Sequence, residues 1–245
     1  MDRMIYLAMN GAKHLLIQQA ATANNLANVS TPGFRAELNA FRALPVVGGG
    51  LPTRTFVVDS TTGSDFTAGA MQYTGRVLDV AVHDKGFFAV QTPNGEAYTR
   101  NGGFDIDANG QLKTRNGLPV VGEGGPITVP TDGQLIIAED GTISSRPNGS
   151  TVGAVEVGRL KLVNPPEKQL VRGGDGLFRL DNNQPAAADP EVRLFAGTLE
   201  ASNVSATEAL VSMISNARQY ETQIKLISTA EQNSRQAAQI LNIGG

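Results

Sequence analysis

The sequence predicts a mainly β protein with α-helical termini. A central β-rich, sandwich- or barrel-like domain is flanked by N- and C-terminal helices that pair in a coiled-coil-like bundle. Three observations carry this reading. Apolar residues recur in steps of three and four over residues 2–28 and again over 205–243, the helical period. Between residues 94 and 176, Asn-Gly or Asp-Gly occurs at 94–95, 101–102, 109–110, 116–117, 132–133, 140–141, 148–149 and 175–176, and these dipeptides favour the positive φ of hairpin turns. Glycine, 28 of 245 residues, stands at about 11% against an average near 7%, as many short strands joined by tight turns require.

The first helix places Ile5, Ala8, Ala12, Leu15, Leu16 and Leu26 on its apolar stripe, and the first proline comes only at Pro32. It stops by Asn28, where Ser30-Thr31-Pro32-Gly33 suits a type II turn. Residues 1–35 form this terminal segment. Residues 36–75 are an extended bridge, with a loop at Pro45–Pro52 and one strand from Thr53 to Asp59. The β domain spans 76–200. Its strands are read at Leu78–His83, Gly86–Gln91, Gln134–Ala138, Gly153–Val157, Arg159–Val163 and Val192–Ala196. Residues 201–245 form the last helix. Ser205-Ala-Thr-Glu208 has the capping-box form. A heptad frame follows, with Leu210, Ala217, Ile224, Glu231 and Ala238 in one row and Met213, Tyr220, Ile227, Ser234 and Leu241 in the other; Gly244-Gly245 closes it. Amphipathic helices at both ends need each other or further copies to cover their stripes.

The composition excludes much chemistry. Twenty Lys+Arg against 23 Asp+Glu leave a net charge of −3, without the basic face of a nucleic-acid binder. The absence of Cys removes disulfides, thiolate nucleophiles and Cys-type metal sites. No apolar run reaches the ~18 residues of a membrane span, and no Sec-type leader is read at the start. His14 and His83, the two histidines, form no metal-ligand pair, and no Gly-x-Ser-x-Gly elbow is present. Asp105-Ile-Asp107-Ala-Asn109-Gly110 opens like a calcium loop, but its twelfth position is Asn116 rather than glutamate. Gly122-Glu-Gly124-Gly125 reads as a loop, since no helix follows it. No catalytic residue, cofactor or metal ligand is assigned. A carbohydrate-binding or hydrolytic β domain with helical tails is the alternative of another class, weakened by the absence of Trp.

Two terminal segments say more. Ala23-Asn-Asn-Leu-Ala-Asn-Val-Ser-Thr-Pro-Gly-Phe-Arg35 resembles the N-terminal signature of the bacterial flagellar rod and hook axial proteins. Leu199-Glu-Ala-Ser-Asn-Val204, with Met213-Ile, Arg218-Gln-Tyr220 and Ile227-Ser-Thr-Ala230, resembles their C-terminal signature. Thr74-Gly-Arg-Val-Leu-Asp79, Gly86-Phe-Phe88, Tyr98-Thr-Arg100 and Asn109-Gly-Gln-Leu112 look like motifs of their β domain. The motif residues are Asn24, Asn25, Asn28, Thr31, Pro32, Gly33, Ser202, Asn203 and Val204. The opening residues and the short length look most like the proximal-rod branch, with the distal-rod branch the near alternative.

The resemblance implies a non-enzymatic subunit of a tubular basal-body rod that transmits torque from motor to hook. It implies terminal helices in the inner axial layer, with Leu15, Leu16, Leu26, Leu210, Met213, Tyr220, Ile224 and Ile227 as buried helix contacts between subunits. Its partners would be homologous rod subunits and the flagellar type III export apparatus, with no nucleic acid and no membrane insertion. The chain would reach the periplasm-spanning rod without a cleaved signal. Phe34 and Leu38 resemble the export-recognition element of such substrates.

Overall fold

A computed structural model describes residues 3–45, 55–130, 133–147 and 153–242. The chain forms two compact units. The first comprises Met1–Val29, Glu37–Asp65 and Val204–Gly245. It holds α1 (Arg3–Ala27), the antiparallel hairpin of β1 (Glu37–Pro45) and β2 (Thr55–Ser64), and α2 (Ala206–Asn242). The second comprises Ser30–Ala36 and Phe66–Asn203.

In the helix unit, α1 packs on α2 and on the hairpin. The expected bridge is a strand pair with a bulge between Ala40 and Phe41. Asn10 Nδ2 donates to the Val57 carbonyl, and the His14 ring meets the edge of Phe41 at 5.5 Å. Asn25 takes both backbone groups of Glu37, accepting its N–H at 2.8 Å and donating to its carbonyl at 3.0 Å. At the start of α2, Ser205 Oγ accepts from the Glu208 N–H, which is one half of the expected capping box. The loop read at 45–52 lies outside the described residues beyond Pro45, as do the turn at 148–149, Asp132 and the Gly244-Gly245 close.

The β unit holds β3 (Met71–Tyr73), β4 (Val80–His83), β5 (Phe87–Thr92), β6 (Gly95–Thr99), β7 (Phe104–Ile106), β8 (Leu112–Thr114), β9 (Val121–Gly122) and β10 (Gly125–Pro126). It continues with β11 (Gly133–Ile137), β12 (Thr142–Pro147), β13 (Val155–Arg159), β14 (Leu162–Val163), β15 (Leu170–Arg172), β16 (Phe178–Leu180), β17 (Arg193–Ala196) and β18 (Thr198–Glu200). All six strands read from the sequence are present, within a few residues of the expected ends. Five of the dipeptide turns carry a positive-φ glycine: Gly95, Gly110, Gly117, Gly141 and Gly176. Asn101-Gly102 makes no such turn: a Cβ on Gly102 would stand 1.8 Å from the Val80 carbonyl oxygen, so this glycine serves close backbone approach.

The barrel-like closure expected from the turn spacing is corrected here. Among the described residues the strands form small separate sheets, the largest a five-stranded one in the order β14-β5-β6-β16-β15. Strands of two to six residues in this unit end before a continuous ladder can close. The core is well filled nonetheless. Val80, Val82, Phe88, Phe104, Leu112, Val120, Ile143, Leu160 and Leu194 form one buried cluster, and Phe87, Tyr98, Val163 and Phe178 a second. The few aromatics of the chain are thus concentrated here, where the composition alone suggested an aliphatic core.

The carboxylates weighed for catalysis are turn and surface groups. Asp107 accepts the N–H groups of Asn109 and Gln111 across the β7–β8 turn and pairs with Lys113 at 2.6 Å. The Lys113 contact and these N–H groups hold its pKa below the usual aspartate value. Asp105 pairs with Arg76. Asp140 accepts from Thr142, backbone and hydroxyl, which lowers its pKa. His83 ends β4, exposed, with its ring 4.8 Å from Phe195.

Candidate assembly interface and buried ionic node

The helix pair is built in an unusual way. Among the described side chains of α2 the buried and half-buried positions are Ala209, Met213, Asn216, Tyr220, Gln223, Ile227 and Ala230, a heptad of alternating steps of three and four. It shares Met213, Tyr220 and Ile227 with the stripe expected from the sequence. Its second row is one residue earlier, taking Ala209, Asn216 and Gln223 in place of Leu210, Ala217 and Ile224. On α1 the matching positions are Ala8, Gly11, Ala12, Leu15, Gln19 and Leu26.

The two helices run antiparallel. A Cβ on Gly11 would lie 3.3 Å from the Gln223 side chain. With that contact fixed, a parallel pair would set residues 19–24 of α1 against 231–236 of α2, yet all six of those α2 residues are exposed. Antiparallel register instead covers 209–230 and leaves the last turns of α2 beyond the start of α1. At 1.5 Å per residue, that overhang is about 18 Å long.

The seam therefore mixes buried alanines and amides with the half-buried Leu15, Leu26, Met213, Tyr220 and Ile227. The amide Oε1 of Gln19 and Nδ2 of Asn216 are buried there with no hydrogen-bond partner among the described residues. A second set of large apolar side chains points away. On α1, Tyr6, Met9 and Leu16 are exposed along one stripe; on α2, Leu210, Val211, Ile214, Ile224 and Leu226 are exposed. Of the eight helix contacts expected between subunits, the single chain exposes Leu16, Leu210 and Ile224 and half-buries Leu15, Leu26, Met213, Tyr220 and Ile227.

The β unit contains a second feature, a buried ionic node. Thr31–Phe34 makes a turn closed by the Phe34 N–H on the Thr31 carbonyl, with Gly33 at φ +68°. Pro and Gly at the two central positions are what a type II turn requires. Here a Cβ is also excluded by space, since it would stand 2.3 Å from the Arg100 backbone. The turn delivers Phe34 and Arg35 into the unit. Phe34 is buried with the Arg172 guanidinium 4.3 Å above its ring, and Arg172 Nη1 donates to the Arg35 carbonyl.

Arg35 Nη1 lies 2.6 Å from Glu200 Oε1, close enough for an ion pair but misaligned for a hydrogen bond. Arg100 Nε donates to Glu200 Oε2 at 2.8 Å, while its two Nη groups donate to the Gly86 and Asp84 carbonyls. Glu200 Oε1 also accepts the Gly69 N–H. The Glu200 side chain is fully buried and both arginines nearly so. Burial pulls the Arg100 guanidinium below its ordinary pKa, and Glu200 acts against that.

Beside this group, the Gly33 N–H donates to the Glu200 carbonyl at 2.7 Å. Asn203 Oδ1 accepts the Ala36 N–H at 2.7 Å, and Asn203 Nδ2 donates to the Thr67 carbonyl at 3.1 Å. The signatures at residues 31–36 and 199–203 thus meet in space, together with Tyr98-Thr-Arg100. Asn24 is exposed; Asn28 closes the end of α1 through its Nδ2 on the Asn24 carbonyl. Pro32, Ser202 and Val204 are half-buried, and Leu38 is exposed on β1. Sequence reasoning assigned no role to Arg35, Arg100 or Glu200. Charged residues set between small and apolar neighbours inside motif segments were the available signal.

Three family models match. The "Flagella basal body rod protein" model matches residues 5–35, the "Flagellar hook protein FlgE/F/G D1 domain" model 81–145, and the "Flagellar basal body rod FlgEFG protein C-terminal" model 196–240. The flagellar basal-body rod protein FlgF of Escherichia coli (strain K12) is 51% identical over 99% of this chain and 100% of its own length.

The chain belongs to the flagellar basal-body rod protein family.

FlgF of Salmonella typhimurium is 50% identical, again across 99% of this chain and all of its own. FlgG of Buchnera aphidicola subsp. Acyrthosiphon pisum is 34% identical over 96% of this chain and 98% of its own. The chain is thus more like these FlgF members than that FlgG member. Its role is that of a structural proximal-rod subunit of the flagellar basal body, not of an enzyme. Among the described residues no helix is long and apolar enough to cross a membrane.

Proposed function

We infer that this rod subunit packs its helix pair against neighbouring subunits in the inner layer of a tubular shaft, and that the shaft passes torque from motor to hook. The observation that carries this is the outward-facing apolar surface of the pair. Leu210, Val211 and Ile214 in the first turns of α2, and Ile224 nearly three turns further on, are 51%, 61%, 57% and 45% exposed. A helix that buries one stripe against its partner and leaves a second row of large apolar residues facing out is arranged for packing by further helices. Homologous rod subunits, of the proximal and distal rod, supply such helices, in a coiled-coil-like layer. Contacts of this kind are heterologous and extend into a tube.

Leu210→Asp combined with Ile224→Asp tests the reading, because both residues lie outside the buried stripe of α2 and are 51% and 45% exposed. Rods are expected to fail to assemble while the purified subunit melts as the wild type does. Rods that form and turn normally would overturn the packing role of α2.

Export through the flagellar type III channel without a cleaved signal belongs to the same reading, with Phe34 and Leu38 as the recognised pair in the unfolded chain. Leu38 is the better residue to test. Phe34 is buried beneath Arg172, so its truncation also damages the β unit. Leu38→Ala should lower secretion and leave the melting curve in place; undiminished secretion would remove the pair from the recognition site.

A further inference from the structure

The backbone passes between the helix unit and the β unit at four places: 29/30, 36/37, 65/66 and 203/204. Load carried along the chain from one unit to the other runs through these crossings. On the β side, each crossing is tied within a few residues to the same two side chains or their backbone. After 29/30, the Gly33 N–H donates to the Glu200 carbonyl. Before 36/37, Arg35 pairs with the Glu200 carboxylate and the Ala36 N–H donates to Asn203 Oδ1. After 65/66, Asn203 Nδ2 donates to the Thr67 carbonyl and the Gly69 N–H donates to Glu200 Oε1. Asn203 is itself the last residue before 203/204.

We propose that Glu200 and Asn203 form a load-bearing joint that clamps all four crossings to one point of the β unit. The inference rests on the rod-subunit reading for the source of the load, while the joint itself can be measured on the isolated chain.

The architecture suits this task. A single Asn side chain bridges the second and third crossings by donating one way and accepting the other, a pairing no aliphatic side chain can supply. Glu200 gathers Arg35, Arg100 and the Gly69 N–H around one carboxylate with no exposed surface, where water does not compete for the bonds. Gly69 is pressed so close that a Cβ there would meet the Ala201 carbonyl oxygen at 2.0 Å. Glycine at 33 and 69 lets the entering segments reach the exiting one. Without the joint, force on one crossing would peel its segment from the unit alone; with it, the four segments yield together.

The test is single-molecule pulling on the full-length chain. The absence of native Cys allows handles at two introduced cysteines, Ala20→Cys on exposed α1 and Lys168→Cys in the exposed turn Glu167–Gln169. Asn203→Ala and Glu200→Gln are expected to lower the first rupture force about two-fold, as cross-ties are lost from a shared clamp. Lys161→Met is the control. It breaks another largely buried pair of the same unit, Lys161 with Glu96 at 2.8 Å, away from the crossings. Its first rupture should stay at the wild-type force. Wild-type rupture forces in Asn203→Ala would overturn the proposal, as would an equal loss in Lys161→Met. Asn203 is half-buried, so Asn203→Ala decides the matter even where Glu200→Gln does not fold.

Discussion

The α1–α2 seam and the core of the β unit draw on different residues. The β unit buries Phe88, Phe104, Leu112, Ile143, Leu160 and Leu194 almost completely. The seam buries Ala8, Ala12, Ala209 and Ala230, with Asn216 and the amide oxygen of Gln19 among them, and sends Leu16, Leu210, Ile214 and Ile224 outward. Burial of a large apolar side chain contributes about 1.5–3 kcal/mol, and an orphaned buried polar group costs about 1–3 kcal/mol. The β unit thus buries its large apolar side chains within itself, whereas the helix pair leaves Leu16, Leu210, Ile214 and Ile224 exposed in the single chain.

The largest expected effect lies in the β core. Phe88→Ala should cost about 3–5 kcal/mol, read as a fall in the calorimetric melting temperature of the β unit. A cost below that of an exposed helix substitution would erase the contrast. Gly33→Ala comes next. An L side chain at that positive φ loses roughly 1–2 kcal/mol before any clash, and the Cβ has no space beside Arg100. A total above about 2 kcal/mol is expected in denaturant titration.

Alkaline pH isolates the β unit differently. Burial pushes the Tyr98 phenol up to about 12, with the Ala186 N–H on its oxygen pulling the other way. The folded pKa is raised, so its contribution is complete below the ordinary value near 10 and is lost as pH rises toward about 12. The loss is on the order of 2 kcal/mol. Tyr98→Phe should flatten that part of the stability profile.

In the seam the sign reverses. Asn216→Leu removes a buried donor without a partner and should stabilise the helix pair by about 1 kcal/mol, seen in far-ultraviolet circular dichroism. A destabilised pair would show that the amide has an indispensable role in the seam. The smallest effect belongs to Leu210→Asp in the isolated subunit, within about 0.5 kcal/mol of wild type. A larger loss would mean that the outward stripe supports its own chain.

Much of the fold was legible along the chain. Both helices, the Ser205 side-chain cap, the six strands and the turns at Gly95, Gly110, Gly117, Gly141 and Gly176 follow from period and local chemistry. Each depends on residues a few positions apart. The helix stripe was legible only as a stripe. Leu210 and Ile224 belong to it as plainly as Met213 and Ile227 do. Which edge meets α1 is decided by how closely the backbones approach, and Gly11, Ala12 and Ala209 permit that approach where leucines would not.

The node was less legible still. Ala36 and Asn203 meet across a sequence separation of 167, so no local pattern couples Arg35 and Arg100 to Glu200. The sequence by itself determined the element types, the turn chemistry and the family signatures, because those are short-range. Sheet order, the failure of the strands to close, the face α2 turns to α1 and the burial of Glu200 among two arginines were decided only by the tertiary structure. They depend on which distant surfaces can come within a few ångströms of each other without leaving a void or an uncompensated charge.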